Sequence, residues 1–353
     1  MPNQGNYKVF TNRVIENQAP IFNFKPACKN YMAGEKIGLE SRPLNSTNVN
    51  LNDFVNLHQT IAFLIIRNDT ILYEKYGQGY QDTSLVSSFS ISKPFVSTLI
   101  GIAIDEGKIN TENDKIIDYL PEFKNKGLEW QKITIKHLLH HTSGIRFTDK
   151  VLNPNSDNVR FYWGRHLRKE MLKMEIECPP ETKFRYSSEN VMLLAYILEK
   201  VTKGTLSAYL EEKIWKPLGM ESQALWSVDR SDNQAIEKSF CCINARAKDF
   251  AKFARLYLHD GNWNGKQIVS KKWIQYSTHS NPEGNNRHYY NNNWGIGPQK
   301  YNSFYAVGLF GQFLYVYPEK NIIIVRFGKS ETSYSPNYWK EIFLQIIDQL
   351  NTI

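Results

Sequence analysis

The chain has 353 residues, with 43 Lys or Arg against 35 Asp or Glu, which gives a formal net charge of +8. Hydrophobic residues make up 41% and charged residues 22%, which is typical of globular proteins and excludes a disordered, collagen-like or coiled-coil chain. The basic residues are dispersed among acidic ones instead of forming a stripe, so we do not expect nucleic acid as a partner. The longest apolar run, residues 95–104, is well short of the roughly 20 residues of a membrane-spanning helix.

The N-terminus and the cysteines give further expectations. No charged segment followed by an apolar run opens the sequence, so we expect a cytoplasmic protein, or a periplasmic or exported one if a leader has been removed. The four cysteines are Cys28, Cys178, Cys241 and Cys242. They are too few and too irregularly spaced for a disulfide framework or a Cys-x-x-Cys zinc site, so we expect free buried thiols. The oligomeric state is left open.

Residues 1 to about 55 are rich in Asn and Pro and weakly periodic, which predicts an extended arm around the body of the protein. Short β-rich runs at 61–66 and 71–76 flank an Asn-Asp turn and predict a hairpin. Three helices that each end at or near a glycine follow in the middle of the chain. They are predicted over residues 90–106, 190–202 and 247–259.

Strand signals return near the end of the chain. Runs at 313–317 and 322–326 predict a second hairpin, and residues 338–350 have the spacing of an amphipathic helix. Strands at both ends therefore enclose a helical middle. We predict an α+β fold in which an antiparallel β-sheet is flanked by helices and carries a large helical insertion between its first and last strands.

Neither an internal repeat nor a Pro- or Gly/Ser-rich linker divides the chain, so we expect a single functional unit. It consists of two predicted regions. An α/β sheet region comprises residues 1–88, with the N-terminal arm, and residues 285–353. A helical region comprises residues 89–284, and the active site is expected between the two.

The helix predicted over 90–106 is apolar nearly all round and carries Ser90 and Lys93 in its first turn. Three residues apart, the hydroxyl and the amine share one face. The helix dipole and the apolar surroundings both disfavour a charged lysine there. A neutral amine within reach of a serine can act as a general base, and the helix N-terminus offers N–H groups to an oxyanion. The alternative is an ordinary N-cap beside a solvated lysine.

A tyrosine in the middle of the chain can complete this chemistry. Tyr186 lies just before the helix predicted over 190–202, and a phenol can exchange a proton with a lysine. Ser188 follows two residues later and can hydrogen-bond either to the lysine or to a substrate. The same Tyr-x-Asn or Tyr-x-Ser pattern recurs in Asn-rich segments without a following helix, where we expect surface positions: Tyr289, Tyr290 and Tyr301.

These residues resemble those of the serine hydrolases of the class C β-lactamase and penicillin-binding-protein type, which include esterases and 6-aminohexanoate-dimer hydrolases. The similar segments keep their order and spacing over about residues 60–330: SFSISK at 88–93, and residues 133–145, 179–190, 209–220 and 261–268. The resemblance implies a β-lactamase/transpeptidase-like fold. It also implies that Ser90 is the acylated nucleophile, Lys93 its base, and Tyr186 the acid/base that protonates the leaving group. No metal and no organic cofactor is implied.

Two motifs depart from that family's pattern. The strand that should carry Lys-Thr-Gly or His-Thr-Gly has AVG at 306–308, and losing the cation weakens an assignment to β-lactamases and carboxypeptidases, where it helps to hold a substrate carboxylate. The GLFGQ segment that follows, at 308–312, is most similar to the 6-aminohexanoate-oligomer hydrolase branch and its esterase relatives. Ser188 stands where class C β-lactamases have Asn. The resemblance implies an oxyanion hole from the N–H groups of Ser90 and Leu309, and substrate contacts at Ser188 and Gly308.

We therefore predict a serine hydrolase that cleaves an ester or amide bond of a small molecule through a Ser90 acyl-enzyme. One alternative is a β-lactamase or D-alanyl-D-alanine carboxypeptidase. Another is a non-enzymatic, penicillin-binding-like sensor on the same scaffold.

Two further motifs indicate other functions, but more weakly. Ser-Asp-Asn triplets at 156–158 and 231–233 resemble a class A β-lactamase motif, but they lie in polar loop segments with no Lys-Thr-Gly strand after them. His137 and His141 have the i,i+4 spacing of zinc ligands. No third ligand is evident, which favours a structural role near a helix end.

Overall fold

The computed structural model describes residues 2–27, 33–41, 46–151, 153–280, 289–329 and 335–350. Its strands are β1 (Asn12–Ile15), β2 (Lys25–Pro26), β3 (Gly38–Ser41), β4 (Ser46–Asn50), β5 (Thr60–Arg67), β6 (Thr70–Tyr76), β7 (Val86–Ser87), β8 (Ala224–Ser227), β9 (Ile243–Ala245), β10 (Asn262–Trp263), β11 (Lys266–Gln267), β12 (Tyr290–Asn291), β13 (Trp294–Ile296), β14 (Phe304–Gly308), β15 (Gln312–Tyr317) and β16 (Ile322–Gly328).

The α-helices are α1 (Ala33–Lys36), α2 (Leu51–Leu57), α3 (Ser92–Asp105), α4 (Ile116–Tyr119), α5 (Ile135–Leu139), α6 (Asp157–Trp163), α7 (Leu167–Lys173), α8 (Ser188–Thr202), α9 (Leu206–Leu210), α10 (Ala247–Leu258), α11 (Lys271–Thr278) and α12 (Pro336–Leu350). Short 3-10 turns lie at Asn6–Lys8, Phe89–Ile91, Pro121–Lys126, Trp130–Lys132, Gln299–Tyr301 and Pro318–Lys320, and a π-helical turn at Glu211–Trp215.

An eight-stranded sheet in the order β12-β13-β14-β15-β16-β5-β6-β2 joins the first and last thirds of the chain. All neighbours are antiparallel except β2 and β6. The pairs β5–β6 and β15–β16 confirm both predicted hairpins. β16 lies between β15 and β5, with Ile324 opposite Ile65, so the sheet places the end of the chain beside its beginning.

Both faces of this sheet are covered. Alternate residues of a strand point to opposite faces, and in β5 the residues Phe63 and Ile65 pack with α12 around Phe343. Leu64 and Ile66 belong to the larger core on the other face, where α10 packs on β15 and β16. The central strands are therefore buried on both sides, which explains their continuous apolar sequences.

A second sheet, in the order β1-β8-β9-β7, ties the N-terminal arm to the chain that leads into α3. In β1, Asn12 lies opposite Ser227 of β8. The backbone N–H of Ser87, in β7, donates to Gln4 Oε1 at 2.8 Å. The arm is therefore fixed three residues before Ser90.

The helix predicted from residue 90 is observed as the 3-10 turn Phe89–Ile91 followed by α3, and α8 and α10 confirm the other two predicted helices. Nearly all of α3 is buried, and Phe95 stacks on Phe253 of α10 with ring centroids 3.6 Å apart. Sheet and helices together confirm the predicted α+β fold. Of the helices that the structure describes, none has both the length and the apolar character needed to cross a membrane.

Candidate active site

Ser90 and Lys93 meet at the beginning of α3. The Nζ atom of Lys93 lies 2.8 Å from Ser90 Oγ and donates a hydrogen bond to the carbonyl oxygen of Phe240 at 3.0 Å. Lys93 is only 1% exposed, whereas Ser90 is half-buried. A desolvated amine that faces a serine hydroxyl is arranged to take up the proton of that hydroxyl.

The chain from Ser239 to Ile243 holds this turn from the side. Ser92 Oγ donates to the carbonyl oxygen of Ser239 at 2.9 Å. The N–H of Ser88 donates to the carbonyl oxygen of Ile243 at 2.8 Å, and the N–H of Ile243 donates to Ser88 Oγ at 3.1 Å. These bonds fix the backbone on both sides of Ser90 and hold the Phe240 carbonyl within reach of Lys93.

A disulfide bond joins Cys241 and Cys242 directly after Phe240. This contradicts the expectation of free thiols for these two residues, because the backbone turns at Cys242, where φ is +77°, and brings the neighbouring sulfurs together. Cys178 is free, as predicted, but it is half-buried where a buried thiol was expected. Cys28 lies outside the described residues.

The residue before Ser90 has a rare backbone conformation. Phe89 has a φ of +44°, in the left-handed region that bulky residues seldom occupy and that is found where surrounding structure enforces it. Its ring packs edge-on against Phe310, with centroids 5.3 Å apart. The packing of the turn after β14 therefore helps to hold the peptide that presents Ser90.

The end of β14 runs close to the same turn. A Cβ atom added to Gly308 would lie 2.6 Å from the carbonyl oxygen of Ser88 and 3.2 Å from the backbone nitrogen of Ser90. Two backbones approach each other at this point, and any side chain on residue 308 would push them apart. The position therefore requires glycine. The strand thus brings Gly308, and with it the start of Leu309, beside the N–H of Ser90.

Gln312 fixes the turn that follows. Its side chain is fully buried and donates to the carbonyl oxygens of Leu309 at 2.8 Å and Gly328 at 2.9 Å. The N–H of Gly328 donates back to Gln312 Oε1 at 2.9 Å. Gln312 ends the GLFGQ segment of the sequence, but its positioning role was not predicted, since that role depends on the pairing of β15 with β16.

Tyr186 lies beside Lys93, whose Nζ atom is 4.9 Å from the centre of the phenol ring. The tyrosine is 37% exposed, so it borders the open side of the site. Its ring stacks on that of His141, with centroids 5.0 Å apart and an interplanar angle of 19°. The structure therefore brings Ser90, Lys93 and Tyr186 together.

Tyr290 and Tyr301 correct the prediction of surface positions. Tyr290 packs edge-on against Tyr186, with centroids 5.8 Å apart, and burial raises the pKa of Tyr290 well above its ordinary value. Tyr301 is 8% exposed and donates a hydrogen bond to Asp348. Tyr289 is 54% exposed, as predicted. The Asn-rich segment forms the hairpin β12–β13 at the sheet edge, a long-range pairing that local composition does not reveal.

Ser188 begins α8 and is buried. Its hydroxyl donates to Asp149 Oδ2 at 2.8 Å and accepts a hydrogen bond from Asn158 Nδ2 at 3.2 Å. The hydroxyl therefore faces Asp149 and not Lys93. Asn158 belongs to the first Ser-Asp-Asn triplet, where Ser156 caps α6, so this triplet opens a helix and is not the loop that the sequence predicted.

Glu189, three residues after Tyr186 in the sequence, is fully buried. Its carboxyl group accepts hydrogen bonds from Ser187 Oγ and from Asn190 Nδ2, the latter at 3.3 Å. Burial raises the pKa of Glu189 to about 8. The group is therefore mainly protonated at pH 7.

The two histidines with zinc-like spacing serve different purposes. His137 forms a capping box with Thr134 at the beginning of α5, which confirms a structural role near a helix end. His141 turns towards Tyr186. In the described part of the chain, no three His, Cys, Asp or Glu side chains form a group that could hold a metal ion.

Known proteins share this sequence pattern. The profile of the family described as Beta-lactamase matches residues 56–343. The 6-aminohexanoate-dimer hydrolase of Paenarthrobacter ureafaciens is 25% identical over 291 residues, which are 76% of this chain and 72% of that protein. A Salmonella agona (strain SL483) protein with the provisional name D-alanyl-D-alanine carboxypeptidase is 26% identical over 213 residues, 53% of this chain and 48% of that protein. The chain thus spans about half the length of this second relative.

The fold has a similarly extensive match. A solved structure from Bacillus anthracis, provisionally named as a 6-aminohexanoate-dimer hydrolase, has a TM-score of 0.84 to this chain at 23% identity. The match covers 98% of this chain and 92% of the other, which confirms the β-lactamase/transpeptidase-like fold. Because the family match takes in most of the chain, the protein belongs to the beta-lactamase-like family of serine hydrolases.

Proposed function

We propose that this protein hydrolyses a small-molecule ester or amide through an acyl-enzyme on Ser90. The observation that carries the proposal is the buried Lys93 amine, 2.8 Å from Ser90 Oγ. A lysine held in this way gives a serine its base without a histidine. Ser90, Lys93 and Tyr186 belong to the helical region 89–284, and Gly308 belongs to the sheet region, so we place the site between the two.

In the acylation step, Ser90 Oγ attacks the carbonyl carbon while its proton passes to Lys93 Nζ. The carbonyl oxygen becomes negatively charged and accepts hydrogen bonds from the N–H groups of Ser90 and Leu309. The phenol of Tyr186 donates a proton to the departing alcohol or amine and regains one from Lys93. The carbonyl then re-forms as the Ser90 ester, and every proton is accounted for.

In the deacylation step, a water molecule attacks the Ser90 ester. Lys93 takes up one proton of the water and later returns it to Ser90 Oγ, and the same two N–H groups stabilise the second tetrahedral intermediate. The bond to Ser90 Oγ breaks, the oxygen regains its proton, and the carboxylic acid leaves. The cycle uses no cofactor.

The walls of the site support a substrate that is neutral near the scissile bond. β14 carries AVG at 306–308 in place of a cationic motif, and we propose that Gly308 faces the substrate. We propose that the aromatic rings beside Tyr186 form the opposite wall, where Phe184 packs against Tyr290 with centroids 5.6 Å apart. We propose that Ser188 contributes to substrate binding by supporting this wall through Asp149, to which its hydroxyl is bonded.

A substrate panel tests the proposal. It consists of p-nitrophenyl esters, a linear 6-aminohexanoate dimer, a chromogenic cephalosporin and a D-Ala-D-Ala peptide, each tested with the wild type, Ser90→Ala and the exposed control Ser231→Ala. We expect turnover of an ester or of the linear amide that Ser90→Ala abolishes and Ser231→Ala retains. Faster turnover of the cephalosporin or the peptide would favour the β-lactamase or carboxypeptidase alternative. Undiminished turnover by Ser90→Ala would overturn the mechanism.

A further inference from the structure

The ring of His141 takes no part in the proton transfers above, yet it stacks on the ring of Tyr186. We propose that His141 is a positioning residue that holds the Tyr186 phenol where it can protonate the leaving group. The inference rests on the proposed function. It assigns a purpose to a buried histidine that the sequence offered only as a zinc ligand or a structural residue.

Three aromatic rings surround His141, which is 1% exposed. Its face stacks on Tyr186, with centroids 5.0 Å apart. Tyr290 meets it edge-on at 5.4 Å, and Phe184 at 6.3 Å. Stacked and edge-on contacts restrict the tilt of a ring more than simple burial does. The plane of His141 therefore sets the plane of Tyr186.

Hydrogen bonds fix the ring at both nitrogens. The backbone N–H of Ser187, the residue after Tyr186, donates to His141 Nδ1 at 3.0 Å. Nδ1 must therefore carry the lone pair, which assigns the ring hydrogen to Nε2. Nε2 lies 2.8 Å from Asn293 Oδ1 and donates to it. The ring thus links the Tyr186 segment to the turn between β12 and β13.

The ring must be neutral to make these contacts. Burial, with the charge of Lys93 as a smaller cause, lowers the pKa of His141 to about 4, although the hydrogen bonds to Asn293 and Ser187 act in the opposite direction. At pH 7 the Nδ1 lone pair is therefore available to Ser187. A protonated ring would lose that acceptor, and its charge would oppose the uptake of a proton by Lys93.

Leaving groups differ in how much they need Tyr186. The p-nitrophenolate ion is stable and departs without a proton, whereas an alkoxide or an amine anion must be protonated as it departs. A displaced phenol should therefore slow cleavage of an alkyl ester far more than cleavage of a p-nitrophenyl ester with the same acyl group. A loss of general stability would slow both equally.

The test compares kcat/KM for ethyl butyrate and p-nitrophenyl butyrate. The variants are His141→Phe, which keeps a ring but loses both hydrogen bonds, and His141→Asn, which can still accept from Ser187 but loses the stacked ring. Tyr186→Phe shows the full effect of losing the phenol hydroxyl on the two rates. His140→Asn is the matched control, because His140 is a neighbouring buried histidine whose Nε2 lies 3.3 Å from the Tyr276 hydroxyl.

We expect both His141 variants to lose at least about 10-fold more activity on the ethyl ester than on the p-nitrophenyl ester, in the direction of Tyr186→Phe. The double variant His141→Phe/Tyr186→Phe should lose little beyond Tyr186→Phe alone, since the two residues act as one unit. His140→Asn should change both rates by the same factor. Equal losses on the two esters in the His141 variants would overturn the proposal.

Two controls keep the outcome decisive. Labelling of Ser90 by a fluorophosphonate, whose fluoride departs readily, should persist in the His141 variants. If those variants do not fold, Asn293→Ala leaves the His141 ring in place and removes the oxygen that accepts from Nε2–H and from the Tyr290 hydroxyl. It should show the same selective loss, and equal losses there would also overturn the proposal. A wild type that neither labels nor hydrolyses any ester would instead refute the proposed function.

Discussion

Lys93 Nζ donates a hydrogen bond to the carbonyl oxygen of Phe240 across 147 residues of sequence, at a distance of 3.0 Å. This bond orients the amine towards Ser90, and among the described residues no carboxylate forms an ion pair with Lys93. The position of the amine therefore depends on the backbone between Ser239 and Ile243. In the proposed mechanism this amine accepts the proton of Ser90, and the Phe240 carbonyl holds it at the position where it can do so.

Replacing Lys93 with methionine should remove the base while filling the same buried space. We expect hydrolysis and Ser90 labelling to fall by about 10²- to 10⁴-fold, the usual contribution of a general base. Lys238→Met is the matched control, because Lys238 is also 1% exposed and donates to two backbone carbonyl groups. The control should reduce stability and retain the labelling rate. Similar labelling rates for wild type and Lys93→Met would contradict the assigned role.

Replacing Gly308 with alanine should disturb the turn that presents Ser90, because the new Cβ would meet the Ser88 carbonyl oxygen at 2.6 Å. Overpacking of this kind typically costs about 1–3 kcal/mol, and we expect Ser90 labelling to slow by at least about 10-fold. Gly204→Ala serves as control, since its nearest neighbour would be 3.9 Å away. The measurements are the free energy of unfolding and the labelling rate. If Gly308→Ala is labelled at the wild-type rate, the close approach of the two backbones is not needed to present Ser90.

Glu189 should make stability depend on pH. Its pKa is raised from 4.5 to about 8 in the folded protein, so below pH 4.5 the group is neutral in both states. Between pH 4.5 and 8 the unfolded chain releases this proton while the folded protein retains it, and the free energy of unfolding therefore falls as pH rises. The decrease ends above the folded pKa.

Glu189→Gln removes this dependence. Between pH 5 and pH 9, the free energy of unfolding of the variant, measured with denaturant, should rise by at least about 1 kcal/mol relative to that of the wild type. Glu341→Gln, at an exposed position, should follow the wild type at every pH. A constant difference between Glu189→Gln and the wild type across this range would contradict the raised pKa.

The Cys241–Cys242 bond is testable by mass. A peptide that contains both residues, taken from protein digested without reductant, should be two hydrogen masses lighter than after reduction and should not react with an alkylating reagent. The peptide that contains Cys178 should be alkylated in both samples, because this thiol is free. Alkylation of both Cys241 and Cys242 without reduction would show that the bond is absent.

Much of the fold could be predicted from local sequence patterns. The hairpins β5–β6 and β15–β16 followed from short β-rich runs around turns, and α3 from an apolar helix that ends before Gly107. The pairing of Ser90 with Lys93 was equally local, because three residues along a helix place two side chains on one face. These features depend on residues that are close together in the sequence, so the sequence alone was enough to predict them.

The remainder of the site depends on long-range packing. Asn293 reaches His141 only because β12 and β13 join the sheet edge, and no periodicity in the Asn-rich segment indicates that. The hydrogen bond from the Ser188 hydroxyl to Asp149 depends in the same way on how the chain after α5 folds back over α8. The groups that we propose to react were therefore predictable from the sequence, whereas the residues that pack around them were not.

The central claim is that Ser90 forms a covalent acyl-enzyme. The most direct measurement is intact-mass and peptide analysis of the protein after treatment with a fluorophosphonate, with Ser90→Ala and Ser231→Ala as matched samples. The account predicts one adduct, located on Ser90, that is absent from Ser90→Ala and present in Ser231→Ala. An unmodified wild type, or an adduct that persists in Ser90→Ala, would contradict it.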